Sequence, residues 1–181
     1  RILSLTSKLL EMAKLETGEV VLNKDWYPPE EIIGSALHAL NKHLQHRIIN
    51  LHIADNLALI YVDAVLIQQV LINLLDNADK YSPIGQAIEL FVENNNNDLT
   101  VLVMDNGIGI PENLQEKIFD KFFQLQKETN QNGVGLGLAI CRAIIQAHGG
   151  KIHATNRKEG GLIVEFNIPN LTPPPNFALL E

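Results

Sequence analysis

A chain of 181 residues, 46% hydrophobic and 19% charged, can bury one full core and leaves no room for two large domains. Its net charge of −7, from 14 basic and 21 acidic residues, excludes a general nucleic-acid binder and obliges any phosphate ligand to be held by local donors. The single Cys141 excludes an internal disulfide and a cysteine-rich zinc site and fits a reducing compartment, while no apolar run approaches a membrane span and the N-terminus has no signal-peptide character.

Residues 1–17 carry Ile2, Leu5, Leu9, Met12 and Leu15 at helical spacing, which predicts an amphipathic helix stopped by Gly18. Such a stripe suits a docking helix or half of a helical dimer, and equally a helix packed on its own domain. Residues 19–26 alternate as a strand up to Trp26. Pro28-Pro29-Glu30-Glu31 then opens a helix over 30–44, with acidic residues at the positive end of its dipole. Short strands are predicted at 48–53 and 58–62, ending at Asp63, a candidate cap for the next helix.

That helix, 64–81, has two faces. Ile67, Leu71, Leu74, Leu75 and Ala78 form an apolar stripe, and Gln69, Asn73, Asn77 and Lys80 line another side about one turn apart. Asparagine is a mediocre helix former, so a pair at i and i+4 is either a solvated face or a functional one. As a functional face, its amide oxygens suit Mg²⁺, Lys80 supplies a point charge for phosphate, and Tyr81 can stack on a base.

Strands 86–94 and 98–105 read as a hairpin through the polar Asn94 to Asn97 tract. Asp105 closes the second of them, ahead of Asn106-Gly107, a triplet that is also a turn signal. With Gly109 and Pro111 following, the carboxylate can instead accept the exocyclic amine of adenine while backbone closes over the ring. Phe119, Phe122 and Phe123 precede a polar run, as expected of a lid over a ligand or of a loop over the core. Gly133, Gly135 and Gly137 lead into a helix with Leu136, Ile140, Ala143, Ile144 and Ala147 at helical spacing. A glycine loop feeding a helix N-terminus suits phosphate. Neither the P-loop nor the Rossmann spacing occurs, so this is a different kind of nucleotide site. Strands 151–156 and 162–168 flank a Gly160-Gly161 turn, and three consecutive prolines make 170–181 an extended or disordered tail.

In chain order, LINLLDNADKYS, DNGIGIP, IFDKF, NGVGLGLAI and a strand pair carrying EGG resemble the N box, first glycine box, F box, second glycine box and terminal glycine turn of the sensor histidine kinase catalytic domain. The likeness covers residues 20–168. KDWYPPEEIIGSAL, GVGLGLAICRAI and ATNRKEGG are similar to the KdpD-type sensor kinases that regulate potassium transport. The resemblance implies the Bergerat ATP-binding fold, an α/β two-layer sandwich of a mixed, mostly antiparallel sheet on three helices, preceded by one N-terminal helix. It divides the chain into 1–18, a remnant of the dimerisation and phosphoacceptor domain, the ATP-binding catalytic domain 19–169, and the tail 170–181.

The same resemblance implies ATP and Mg²⁺ as cofactors. Asn77 coordinates the metal with Asn73 beside it, Lys80 contacts phosphate, and Tyr81 lies on the adenine side. Asp105 holds the adenine amine, and Gly107 and Gly109 let the ring and lid close. Gly133, Gly135 and Gly137, with the amides of Leu136 and Leu138, cradle phosphates. Ile110, Phe122, Lys127 and Val134 belong to the same pocket. The arginine often found after the F box is absent, and Lys121 or Lys127 takes the γ-phosphate contact.

None of His38, His43, His46, His52, His148 and His153 is followed by the acidic residue and proline of a phosphoacceptor motif. The catalytic histidine is therefore expected elsewhere in a longer sensor. That sensor would be a homodimer, pass its phosphoryl group to a response regulator and bind no nucleic acid. It would meet the bacterial inner membrane only through parts outside this cytoplasmic domain. Rival readings are a Bergerat ATPase that drives a conformational cycle, a nucleotide-sensing adaptor and an anti-sigma serine kinase. The hydrolases of this fold carry Glu where this chain has Asn73, which cannot accept a proton from water.

Overall fold

In the computed structural model, residues 21–55, 57–95, 98–125 and 134–169 are described. The expected N-terminal helix, the tail, and the sites Lys127 and Gly133 lie outside them.

Proline pre-sets the first helix. Pro28 is extended at the N-cap, and Pro29 starts α1, Pro29–Leu40, with Glu30 and Glu31 in its first turn. Ile32, Ile33, Ala36 and Leu40 form its buried face. The helix stops four residues short of the expected 44. Leu44 is nonetheless buried and its N–H reaches the Leu40 carbonyl at 2.8 Å. The apolar period was therefore real, but Asn41 begins a looser turn, as a weak helix former can.

The second helix, α2, is Ala64–Tyr81, the bounds expected from the sequence. The Asp63 side chain caps it by accepting from the Leu66 N–H, and Ile67, Val70, Leu71, Leu74, Leu75 and Ala78 are buried. The third, α3, is Gly137–Ala147, burying Ala139, Ile140, Cys141, Ile144 and Ile145. Ala147, expected on the apolar stripe, is exposed, because the buried arc of α3 is turned toward Cys141, Ile145 and His148, away from the side of Ala143 and Ala147. Burial pushes the Cys141 thiol up to about 12, which makes it an inert packing residue.

The main sheet has five strands in the order β2-β4-β5-β7-β6. These are β2 Ile49–Ile53, β4 Ile88–Asn95, β5 Asp98–Met104, β6 Lys151–Asn156 and β7 Leu162–Pro169. The β2–β4 pair is parallel and the others antiparallel. Alternation of period two sends Ile88, Leu90 and Val92, then Leu99, Val101 and Val103, then Leu162, Val164, Phe166 and Ile168 into one core shared with the three helices. Two further strands, β1 Asp25–Tyr27 and β3 Ile60–Val62, pair antiparallel as a separate ribbon, with Trp26 against Tyr61 at 5.3 Å. Of the strand expected over 19–26, residues 19 and 20 lie outside the described residues, 21–24 belong to no strand, and Asp25 and Trp26 fall in β1, because pairing with the short β3 leaves partners for three residues.

Candidate functional site

The site is built where β5 ends. Asp105 follows its last residue, and both hydrogen bonds to the carboxylate fall on Oδ1, from the Gly107 N–H at 2.8 Å and the Leu162 N–H at 3.0 Å. Among the described residues no donor reaches Oδ2, so that oxygen is free to meet a ligand. Burial raises the Asp105 pKa, against the lowering effects of the two amides and of Arg157. The Asp-Asn-Gly triplet is not a hairpin turn. Asn106 is pinned by its N–H to Ser82 Oγ at 3.2 Å and by Nδ2 to the Ala87 carbonyl at 2.7 Å. Arg157 Nη1 donates to the Asp105 carbonyl and to Asn106 Oδ1. Gly107 then passes so close to α2 that a Cβ would stand 2.7 Å from the Tyr81 carbonyl oxygen.

The loop after Gly109 is fixed by Asn156 at the end of β6. Its Oδ1 accepts from the Ile110 N–H at 2.8 Å and its Nδ2 donates to the Ile110 carbonyl at 2.7 Å. In the sequence Asn156 and Arg157 stand only within the ATNRKEGG motif, with no signal of a role of their own. A polar pair at a strand end is an ordinary pattern, and only the fold brings it to Ile110 and Asp105.

From α2 come Asn77, Lys80 and Tyr81. The ammonium of Lys80 is 4.9 Å from the Tyr81 ring centre, and the ring is half exposed. Asn73 sits one turn earlier. Its Nδ2 is buried without a nitrogen or oxygen partner among the described residues, and the side chain meets the Cys141 thiol inside the core. Both asparagines face the start of α3. A Cβ on Gly137 would lie 3.9 Å from Asn77 Nδ2 and 4.0 Å from Asn73 Oδ1. Just before, Gly135 has φ of +73°, and its Cβ would stand 2.7 Å from the Phe123 carbonyl oxygen. The Phe122 N–H donates to the Gly135 carbonyl at 2.8 Å. The loop ahead of α3 and the end of the F box are therefore in backbone contact. Arg142 of α3 anchors that segment further, with Nη2 on Glu116 Oε2 at 2.7 Å and its guanidinium 4.5 Å over the Phe119 ring.

One cleft gathers Asn77, Lys80, Tyr81, Asp105, Gly107, Gly109, Ile110 and Leu138. Leu74, Ala78, Val103, Ile118, Leu162 and Val164 give it an apolar wall, and Ile108, Phe123, Gln124 and Leu125 stand at its edge. Asn73, Phe122, Val134, Gly135, Leu136 and Gly137 do not line it. Leu136 is buried in the core, while Phe122 and Val134 are exposed. The wall residues were legible as core positions, but which of them border a cleft depends on the separation of α2, α3 and the sheet.

No group of three or more His, Cys, Asp or Glu able to hold a metal occurs among the described residues. The described residues therefore form no protein-only metal site, whereas the neutral amide of Asn77 in the cleft would suit a hydrated Mg²⁺ whose other ligands come from a bound anion. Asp79, the half-buried carboxylate on α2, is already taken by Arg47 Nε at 2.6 Å. Among the described residues no helix is long and apolar enough to cross a membrane.

A family model described as histidine kinase-, DNA gyrase B-, and HSP90-like ATPase matches residues 62–172. The sensor protein KdpD of Escherichia coli is 45% identical over 170 residues, which are 94% of this chain and 19% of that protein. KdpD of Clostridium acetobutylicum is 40% identical over 93% of this chain, again 19% of its own length. The chain thus spans about a fifth of these curated relatives. Among solved structures, the nucleotide-free catalytic domain of histidine kinase ThkA superposes with a TM-score of 0.73 at 30% identity, covering 82% of this chain and 96% of that one. ThkA in complex with the response regulator TrrA gives 0.74 at 31% identity, over 94% and 49% of the two chains. Full-length ShkA in complex with AMPPNP gives 0.82 at 25% identity, over 94% and 36%.

Proposed function

Since the chain belongs to the family of histidine kinase-, DNA gyrase B- and HSP90-like ATPases, we propose that it is the ATP-binding catalytic domain of a two-component sensor histidine kinase. It transfers the γ-phosphoryl of ATP to a histidine on a phosphoacceptor helix, from which a response regulator receives it. The observation that carries this reading is the single cleft in which Asp105 Oδ2, the Asn77 and Lys80 side chains and the start of α3 are brought together. It has an apolar slot for a flat ring at one end and phosphate donors at the other.

In this reading the adenine amine donates to Asp105 Oδ2, the ring lies against Val103, Leu162 and Val164, and Tyr81 covers its exposed side. The first amides of α3 offer donors to phosphate oxygens, with Asn73 beside them, and Lys80 adds a positive charge. Asn77 holds Mg²⁺ through its side-chain oxygen, and that ion supplies neutralisation of the phosphate charge. Phosphoryl transfer asks little covalent help from a protein, so these residues act by orientation and by excluding water. Phe123, Gln124 and Leu125 close the slot, Lys121 or Lys127 takes the γ-phosphate, and Gly133 completes the cradle.

The KdpD relatives support a role in the control of potassium transport. The ThkA–TrrA complex supports a response-regulator partner, and the stripe over 1–17 supports a homodimer in a longer, membrane-associated sensor. Two measurements test the core of the proposal. Calorimetry of the chain with AMPPNP and Mg²⁺ should show one saturable site. The chain should also phosphorylate a separately supplied phosphoacceptor helix pair with an acid-labile, alkali-stable linkage. Absence of saturable nucleotide binding overturns the reading.

A further inference from the structure

The two helices that meet at the phosphate end of the cleft are joined at their other end by one side chain. His148, 6% exposed, follows the last residue of α3. Its Nδ1 lies 2.8 Å from the Ile144 carbonyl, which can only accept, and the Asp63 backbone N–H donates to its Nε2 at 3.0 Å. A ring that donates at Nδ1 and accepts at Nε2 is neutral imidazole in one tautomer. Imidazolium donates at both nitrogens and could not receive the Asp63 N–H.

Asp63 is the cap of α2. Its Oδ1 accepts from the Leu66 N–H at 3.3 Å and its Oδ2 from the Asn23 N–H at 3.0 Å. His148 therefore bonds the residue that begins α2 to the turn that ends α3. At the opposite end of the same antiparallel pair, Gly137 stands against Asn73 and Asn77. Between Asp63 and Asn77 the helix rises about 20 Å, so His148 touches nothing that a nucleotide would touch. Burial favours the neutral ring. The Ile144 carbonyl and Asp63 oppose that preference, and Lys24 adds to it.

We propose that His148 is a positioning residue for nucleotide binding, fixing the axial register of α3 against α2 and hence the placing of the α3 N-terminus beside Asn73 and Asn77. This rests on reading that end as the phosphate site. Protonation of the ring turns the Asp63 contact into donor against donor, the tie opens, and the two helices lose their fixed register. Nucleotide affinity is then coupled to the state of a histidine remote from the nucleotide.

The test compares the parent chain with His148→Gln and His148→Phe in calorimetric titrations with AMPPNP and Mg²⁺ from about pH 7.5 down to about pH 5.5. Glutamine offers an acceptor near the position of Nε2 and does not titrate, whereas phenylalanine keeps the ring shape and makes neither bond. At the higher pH the glutamine variant should bind like the parent and the phenylalanine variant about tenfold more weakly, the scale of an unmade buried hydrogen bond. As the pH falls, the parent should lose affinity relative to the glutamine variant. That ratio cancels the titration of the nucleotide phosphates and of Asp105, which both proteins share. Nitrogen NMR of the parent at neutral pH should show a protonated Nδ1 and a bare Nε2 for this ring. A parent-to-glutamine ratio that stays flat with pH, or a protonated Nε2, overturns the proposal even if the phenylalanine variant fails to fold. Absence of nucleotide binding by all three proteins overturns the nucleotide reading itself, whereas binding with a flat ratio overturns this inference alone.

Discussion

At Asp105 the two carboxylate oxygens have separate tasks. Oδ1 is committed to the Gly107 and Leu162 amides, and in the proposed complex Oδ2 meets adenine. Asp105→Asn keeps the amide bonds through its carbonyl oxygen and puts an NH₂ where Oδ2 stood, donor against donor with the adenine amine. ATP and ADP should both bind on the order of tenfold more weakly by calorimetry; unchanged ADP affinity would remove adenine from this residue. The same substitution should leave the nucleotide-free protein as stable or more so. The folded pKa of Asp105 is raised by burial, so its contribution is fully present below the ordinary aspartate range and lost as pH rises through the folded value. At neutral pH the buried charge is a cost, and thermal melts across pH should show parent and variant converging in acid. Asn77→Ala bears on the metal. The apolar face of α2 from Ile67 to Ala78 is untouched, so the fold should persist while Mg²⁺ no longer strengthens nucleotide binding. Overlapping Mg²⁺ titrations of variant and parent would return Asn77 to an ordinary polar face.

Legibility differs by element, and the reasons are physical. The bounds of α2 could be read because a capping aspartate and a regular apolar stripe agree. The antiparallel strand pairs β4–β5 and β6–β7 could be read from alternation broken by turn residues. The β1–β3 ribbon and the parallel β2–β4 pair could not, since which strand lies beside which is decided by non-local packing. The device that holds the C-terminal end of α2 was equally hidden. Arg47, 9% exposed, stands outside every motif. It places Nε on Asp79 Oδ1 at 2.6 Å, Nη1 on the Pro83 and Gln86 carbonyls, and Nη2 on the Asp79 and Ser82 carbonyls. This fan caps the helix and braces the loop that Asn106 also grips. Removing one member of a buried pair leaves the other uncompensated, so Arg47→Ala should cost about 3 kcal/mol or more in urea unfolding. A loss below about 1 kcal/mol, the scale of an exposed ion pair, would show that the fan is dispensable.

For the whole molecule, the proposed chemistry separates binding from turnover. The chain presents donors for ATP but has neither a histidine in phosphoacceptor context nor a carboxylate at position 73 to activate water. It should bind Mg·ATP while neither labelling itself nor hydrolysing ATP appreciably, and adding the phosphoacceptor helix pair should restore transfer. Rapid hydrolysis by the chain alone, abolished by changing Asp76, would move it to the ATPase branch of its family. Two of the chain's histidines face carboxylates instead. His46 lies 3.1 Å from Asp79 and His52 lies 2.8 Å from Glu89.

The position of β7 carries a consequence of timing. It is synthesised after β6 yet lies between β5 and β6, and its first residue supplies one of the two amides that hold Asp105, 57 residues earlier in the chain. As the chain emerges during synthesis, the Asp105 end of the cleft cannot exist until this late strand inserts, and a pairing of such sequence separation is slow to close. Until then β5 and β6 present open edges, and nucleotide cannot act as a template for the earlier segments. A chain ended at Arg157 should therefore gain no protection from proteolysis on adding Mg·ATP, whereas refolding of the full chain should gain nucleotide binding only in its last kinetic phase.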